Sequence, residues 1–367
     1  MIAYLDHNAT SPLRPEARAA MLAAMDETGN PSSPHGPGRA ARATVERARR
    51  AVAAAFDMPS DAIVFTSGGT EANHLALRGL GAAATLVSAV EHDSVLAAAP
   101  AAERIPVDGD GVVDLAWLER RLAEGGVGLV SVMLANNETG VIEPLAEVVR
   151  LAHAAGALVH TDATQAAGRL PVSFADLDVE MMTVSAHKLG GPPGVGALLI
   201  QEGLPLRPLL RGGRQENGLR AGTENVPAIA GFAAAAAAAA DGDDGRIAAL
   251  RDRLEAGLRA AVPTVRIFAA GADRLPNTVS AAMPGVSAET QVMALDLAGV
   301  AVSAGSACSS GKVRASHVLD AMGVEAAVAR AAIRISLGWN STADDVDRCV
   351  AAWAALAARA GGRARAA

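Results

Sequence analysis

Residues 181–196 read MMTVSAHKLGGPPGVG. An apolar run over 181–184 turns small and polar at Ser185-Ala186 and presents His187-Lys188. It then breaks into Gly190-Gly191-Pro192-Pro193-Gly194 before a second apolar run over 195–200. Glycine and proline at that density mark a tight turn between two strands. Lys188 therefore stands at a strand end, where a fold holds a reactive group rigidly. A lysine so placed is a candidate to form a Schiff base with an aldehyde cofactor. The dipeptide alone favours a surface lysine in a β-turn; its neighbours reverse that preference.

Working outward, apolar runs that end on polar residues recur. Residues 63–66 lead into Ser67-Gly68-Gly69-Thr70-Glu71. Residues 85–90 end at Glu91-His92, 128–134 at Asn136-Asn137-Glu138, and 158–161 at Asp162. Between them the spacing predicts helices over 72–80, 115–124 and 145–155. Alternation of this kind signals an α/β fold, a mostly parallel sheet with helices on both faces. Ligands of such sheets bind beyond the carboxyl ends of the strands. His92, Asn137, Asp162 and Lys188 all fall on that edge and make one site.

Upstream, Pro12 and Pro15 lead into a helix over 16–25. Residues 29–38 (GNPSSPHGPG) read as a loop, and 39–56 as a helix with an arginine-rich wet face. Residues 226–240 form an alanine-rich helix. The polar stretch 241–245 reads as a linker into a long helix over 246–261. The chain is thereby divided into a large domain, residues 13–245, and a smaller α+β domain made of 1–12 and 246–367. The latter has strands over 277–283 and 332–337, helices over 288–298, 318–322 and 344–360, a loop over 303–316 and a frayed tail, 361–367.

Composition bounds the function. The 367 residues are 51% hydrophobic and 19% charged, a globular profile large enough for two cores. A net charge of -7 argues against a nucleic-acid surface. Two cysteines, Cys308 and Cys349, are too few for a disulfide framework and point to a reducing compartment. Asp6, His7 and Asn8 interrupt the first apolar residues, so no signal peptide is expected. The longest apolar run, 226–240, falls short of the ~18 residues of a membrane span. The expectation is a soluble, cytoplasmic protein with no membrane partner. Its eight histidines lack ligand spacing, so no permanent metal site is expected.

Pyridoxal phosphate asks four things of a protein, and each has a candidate. Lys188 offers the amine. Asp162 offers a carboxylate to keep the pyridine nitrogen protonated; taken alone, it would be an ordinary turn cap. Gly69-Thr70 at a helix start, with Ser185 and His187, offers a phosphate cradle, although Thr70 could equally be an ordinary N-cap hydroxyl. His92 offers a stacking face. Cys308 lies in GSACSSGK (305–312), a run of small residues that builds no core, so it reads as a nucleophile. Lys312 and Arg314 favour its thiolate. Cys349, in the closing helix, reads as core.

YLDHNAT, GNPSSPHG, FTSGGTEAN, EHDSVL, ANNETG, HTDATQAAG, SAHKLGGPPGVGAL, RAGTENVPAIAG, GSACSSG and IRISLG together resemble the successive motifs of the cysteine desulfurases. These belong to class V of the aminotransferase-fold (fold type I) pyridoxal phosphate enzymes. The resemblance runs from Tyr4 to Gly338, and the loop from Ser303 resembles the nitrogenase-type and housekeeping iron–sulfur assembly group. It implies that Lys188 is the Schiff-base lysine and that Asp162 pairs with the pyridine nitrogen. Gln165 would bond the ring hydroxyl, and His92 would stack on the ring. Gly69, Thr70, Ser185 and His187 would hold the phosphate, and Thr223 would reach the phosphate of a partner subunit in a homodimer. Asn137 would lie near ring and substrate, and Arg334 would clamp the substrate carboxylate with Asn8 close by. His7 stands where the family usually has asparagine, Ala186 replaces a glycine, and Arg211 and Arg214 alter a His-Gly-Gly-Gly loop.

The activity so implied is conversion of L-cysteine to L-alanine. Lys188, helped by His92, would move the substrate proton, and Cys308 would keep the sulfur as a persulfide. Gly305 and Gly311 leave that cysteine sterically free to swing toward an iron–sulfur scaffold or other acceptor, and it could ligate a cluster transiently. A transaminase or selenocysteine-type β-lyase would use Lys188 and Asp162 without Cys308. A non-catalytic sulfur-binding scaffold would leave those two unexplained. A nucleotide site over 190–196 is disfavoured because Pro192 and Pro193 lack N–H groups.

Overall fold

The computed structural model describes residues 2–82, 84–240, 242, 245–304 and 316–366, with side chains as far as residue 360. Among these, the larger sheet has seven strands in the order Ile63–Thr66, Gly196–Ile200, Met181–Ser185, Leu158–Asp162, Leu129–Ser131, Thr85–Ser88, Glu103–Ile105. The last five run parallel, and Gly196–Ile200 is antiparallel to both its neighbours. Consecutive residues of the central strands point to opposite faces, and both faces are buried. Leu129, Met181 and Leu198 pack on one side with Ala72, Leu75 and Val95 of the helices Gly69–Leu80 and Asp93–Ala98. Val130, Val159, Met182 and Leu199 pack on the other with Val45, Val148, Ile229 and Phe232. These come from the helices Gly36–Ala55, Leu145–Ala154 and Val226–Ala240. A sheet covered on both faces requires near-continuous apolar strands, which is what the runs are. The α/β expectation holds.

Two strands are shorter than the apolar runs that announced them. They stop at Ser88 and Ser131, so His92 and Asn137 stand on the loops beyond, whereas Asp162 is itself the last residue of its strand. The edge strand Glu103–Ile105 went unread because three residues with an exposed glutamate carry no alternation. The helix expected from Arg39 begins at Gly36. The His35 ring accepts the Gly38 N–H at 3.2 Å, and Pro37 sits in the first turn, where no N–H is needed. The tail expected to fray past Ala360 continues as helix through Ala366, since extending a formed helix gains a hydrogen bond for each residue fixed.

The alanine helix lies against both Pro15–Met25 and Gly36–Ala55. Its small side chains permit that approach: a Cβ on Gly231 would stand 2.6 Å from Met21 Cγ. No helix among the described residues is long and apolar enough to cross a membrane.

A second sheet is antiparallel throughout, in the order Ser303–Ala304, Ala332–Ser336, Thr278–Ala282, Arg266–Ile267. Its core gathers Leu254 and Leu258 of the helix Arg246–Ala261, Leu295 of Ala288–Leu297, and Cys349 and Trp353 of Ala343–Ala366. The N-terminal residues join this core. Ala3–Tyr4 pairs in parallel with Val300–Ala301, Leu5 is fully buried, and Asp6 bridges Ser336. The chain then crosses at Asn8 to the carboxyl edge of the larger sheet.

Candidate active site

Asp162 reaches that edge buried at the end of its strand. Its Oδ1 accepts the Thr164 N–H at 2.9 Å and its Oδ2 accepts from Asn73 Nδ2 at 2.7 Å. Asn73 sits in the helix Gly69–Leu80 and also donates to Ser94 Oγ at 2.9 Å. One strand over, a single short turn carries Lys188. Its Nζ donates to the Asn8 and Ala9 carbonyls at 2.5 and 2.7 Å. Burial, with the cations Arg334 and Arg169 near and despite Asp6 and Asp162, lowers its pKa to about 7. At neutral pH much of this amine is free base, the form that attacks a carbonyl.

His92 caps the helix Asp93–Ala98: its Nδ1 accepts the Ser94 N–H at 3.1 Å and lies 2.7 Å from Ser94 Oγ. Burial lowers its pKa, with Lys188 and His317 acting in the same sense. An Nδ1 occupied as acceptor fixes the neutral tautomer with its proton on Nε2. His187 Nδ1 lies 3.1 Å from Thr10 Oγ1, and burial beside Lys188 and Arg169 lowers its pKa to about 4. Gln165 is oriented at both ends of its amide. Its Nε2 donates to the Asn8 carbonyl at 3.1 Å and its Oε1 accepts from Arg169 Nη1 at 2.8 Å.

The donor set decides whether pyridoxal phosphate fits. No side chain caps the helix Gly69–Leu80, which begins after Gly68 at φ 154°. Thr70 lies inside the helix rather than serving as its cap, so the first N–H groups remain for an anion. A Cβ on Gly69 would stand 3.3 Å from Thr164 Oγ1 and 3.5 Å from Ser185 Cβ, and that buried threonine hydroxyl has no partner. Uncapped N–H groups, an orphaned hydroxyl, a buried carboxylate and a low-pKa amine are the partners that a phosphate, a pyridinium and an aldehyde require. The cofactor fits.

From the second sheet, Arg334 enters buried, donating Nη1 to the Asn137 carbonyl at 3.0 Å and Nη2 to Asp6 Oδ1 at 2.9 Å. Its Nε is buried without a partner. The side chain of Asn8 is spent within the protein: its Nδ2 donates to the Asn137 carbonyl and Thr278 Oγ1, and its Oδ1 accepts from Asn277. What Asn8 offers Lys188 is its main-chain carbonyl. Thr223 stands apart from this cluster, exposed and lining a separate cleft with Glu27, Gly29 and Pro31. Cys308, Lys312, Arg314 and the glycines Gly305 and Gly311 lie outside the described residues. The chain is described again at Ser316, whose hydroxyl donates to Glu138 Oε2 at 2.5 Å. Burial pushes the Glu138 carboxyl up to about 7.

Residues 3–349 match the model of the class-V aminotransferases. The chain belongs to that family. It is 48% identical over 360 residues to a cysteine desulfurase of Cereibacter sphaeroides, covering 94% of this chain and 93% of that protein. It is 41% identical to the cysteine desulfurase IscS of Dictyoglomus turgidum, covering 94% and 91%. A solved NifS-like protein from Rickettsia africae superposes with a TM-score of 0.91 at 36% identity, covering 97% of this chain and 99% of that one. Within class V the chain thus falls with the cysteine desulfurases, as its motifs implied, and it is a pyridoxal-phosphate-dependent enzyme.

Other residues of this class-V site were not assigned from the sequence. Asn73 clamps Asp162 from within the FTSGGTEAN motif, one turn into the helix; its distance from Thr70 was the available signal. Arg169, half-buried, donates to the Gln165 side chain and to the carbonyls of Gln165, His7 and Lys188; burial and Arg334 lower its pKa to about 9. His160, two residues before Asp162, bridges Ser131 Oγ at 2.9 Å and Thr183 Oγ1 at 3.1 Å across three strands. Burial lowers its pKa to about 4. His7 is buried against Gly338, where a Cβ would overlap the ring. The two residues are matched, and no pattern in one sequence announces such a pairing. Cys349 is fully buried beside Trp353, and burial pushes its thiol up to about 12.

Proposed function

We propose that this protein is a cysteine desulfurase that converts L-cysteine to L-alanine and retains the sulfur on Cys308. The observation that carries this reading is the juxtaposition of the Lys188 amine, at a pKa of about 7, with the buried Asp162 carboxylate on the adjoining strand. Arg334 enters the same cluster from the second sheet. Gly69, Thr70, Ser185 and His187 would hold the cofactor phosphate, Asp162 its ring nitrogen, Gln165 with Asn137 the ring-hydroxyl side, and His92 one ring face. When bound, pyridoxal phosphate supplies an electron sink for the α-carbon of the amino acid.

The protein's own groups do the rest. Arg334 takes the substrate carboxylate, for which its unpartnered Nε is available. Lys188 Nζ, as free base, accepts the proton from the substrate Cα and returns it, with the neutral His92 beside it. The Cys308 thiolate attacks the substrate sulfur. The carbon–sulfur bond breaks with its electron pair left on carbon, that carbon is protonated, and alanine leaves. The persulfide on Cys308 then passes its outer sulfur to an iron–sulfur scaffold protein or another acceptor.

In this reading residues 13–245 form the cofactor domain, and 1–12 with 246–367 the small domain. The separate apolar cluster joining Ala3 and Leu5 to residues 247–356 supports that division. Two copies form a homodimer in which the exposed Thr223 serves the neighbouring phosphate. The protein works in the cytoplasm, where Cys308 carries sulfur and could ligate an iron–sulfur cluster transiently.

The test is a single turnover of L-cysteine without reductant, followed by peptide mass spectrometry. One added sulfur on the peptide bearing Cys308 is expected. Alanine formed with that peptide unmodified would overturn the assignment.

A further inference from the structure

Asp6 has no part in the chemistry above, yet its carboxylate touches Arg334, the proposed clamp of the substrate carboxylate, and Ser303. Oδ1 lies 2.9 Å from Arg334 Nη2, and Oδ2 accepts from Ser303 Oγ at 2.8 Å. The sheets build this contact: Asp6 bridges Ser336, and Ser303 is the register partner of Arg334. The guanidinium is buried, held at Nη1 by the Asn137 carbonyl and at Nη2 by Asp6. Its Nε, buried too, has no acceptor. A buried donor without an acceptor is costly, and this one is kept so by partners that pin the rest of the fork.

Building on the reading that Arg334 takes the substrate carboxylate, we propose that Asp6 is its resident counter-ion, a positioning residue that holds the guanidinium with Nε free and limits its grip on the amino acid. Two carboxylates share one cation when the substrate is in place. The resident one weakens the hold of the incoming one equally on substrate and on alanine. Tighter uniform binding would gain nothing in turnover and would slow the departure of product.

Holoenzyme titrated with L-alanine, followed by the absorbance of the bound cofactor, tests this. Asp6→Asn keeps an oxygen for Arg334 and an N–H for Ser303 Oγ but loses the charge; Asp6→Ala loses both contacts. The expected result is alanine binding tighter by at least about 5-fold in Asp6→Asn, the lower end of coupling between two bound groups, and weaker in Asp6→Ala. Ethylamine, which has no carboxylate, should bind all three alike. Weaker or unchanged alanine binding in Asp6→Asn overturns the proposal by itself, even should Asp6→Ala fail to fold. Wild-type protein that binds alanine no better than ethylamine would instead sink the Arg334 reading beneath it.

Discussion

Among single residues, Lys188 has its chemistry set by its protonation. Below a pH of about 7 its Nζ holds a proton and cannot attack an aldehyde; above it the amine is free. Capture of pyridoxal phosphate by the apoprotein should therefore accelerate as pH rises and level off with a midpoint near 7. A midpoint near that of an ordinary lysine would contradict the burial that lowers it. Asn73 is the matching case on the carboxylate side. Asn73→Ala removes the 2.7 Å donor to Asp162, and loss of such a supporting bond weakens a bound group by about 10-fold or more. Equilibrium dialysis of the cofactor checks it; unchanged affinity would mean that Thr164 alone holds the carboxylate. Lys188 and Asp162 were legible because each ends an apolar run, which one sequence displays directly. Asn73, Arg169 and Asp6 were not, because what matters about them is a partner far along the chain.

At the scale of elements, the central strands were read to within a few residues because both faces are apolar and turns bound them. The helix start at Gly36 was misread because glycine and proline normally signal a loop, whereas here His35 and Pro37 supply what a first turn needs. The segment before Thr223 is fixed by a bond the sequence hides. Arg49 of the helix Gly36–Ala55 donates to both oxygens of Glu216 at 2.8 and 2.7 Å, and Glu216 also accepts the Phe65 N–H at 2.8 Å. Glu216 and Asn217 adopt φ of 48° and 56°, strained for residues with a side chain. Arg49→Met strands a buried carboxylate. Urea unfolding should show a loss of about 3–5 kcal/mol, and a loss under about 1 kcal/mol would mean the pair behaves as a surface bridge.

At the scale of the molecule, the apolar core behind the smaller sheet is separate from those on the two faces of the larger one, and the site lies where Asn8 crosses between the sheets. Asn8, Asn137 and Arg334 meet there from distant parts of the sequence. Their convergence was inferred only through the family resemblance, since neither periodicity nor spacing relates them. The proposed homodimer belongs to this scale as well. Thr223 is exposed on a separate cleft, so its contribution to a phosphate site depends on a second copy. Sedimentation velocity should give one species of twice the chain mass, and Thr223→Ala should weaken cofactor retention. A monomer that retains cofactor fully would contradict the shared site.

In the proposed reaction Lys188 and Asp162 prepare L-cysteine for removal of its sulfur by Cys308. Alanine and sulfide release from L-cysteine, with a thiol reductant present, should be compared for wild type and Cys308→Ala loaded with cofactor. The variant should keep the cofactor absorbance and lose both products. Equal release from the two proteins would contradict that reaction and leave a lyase or transaminase acting through Lys188.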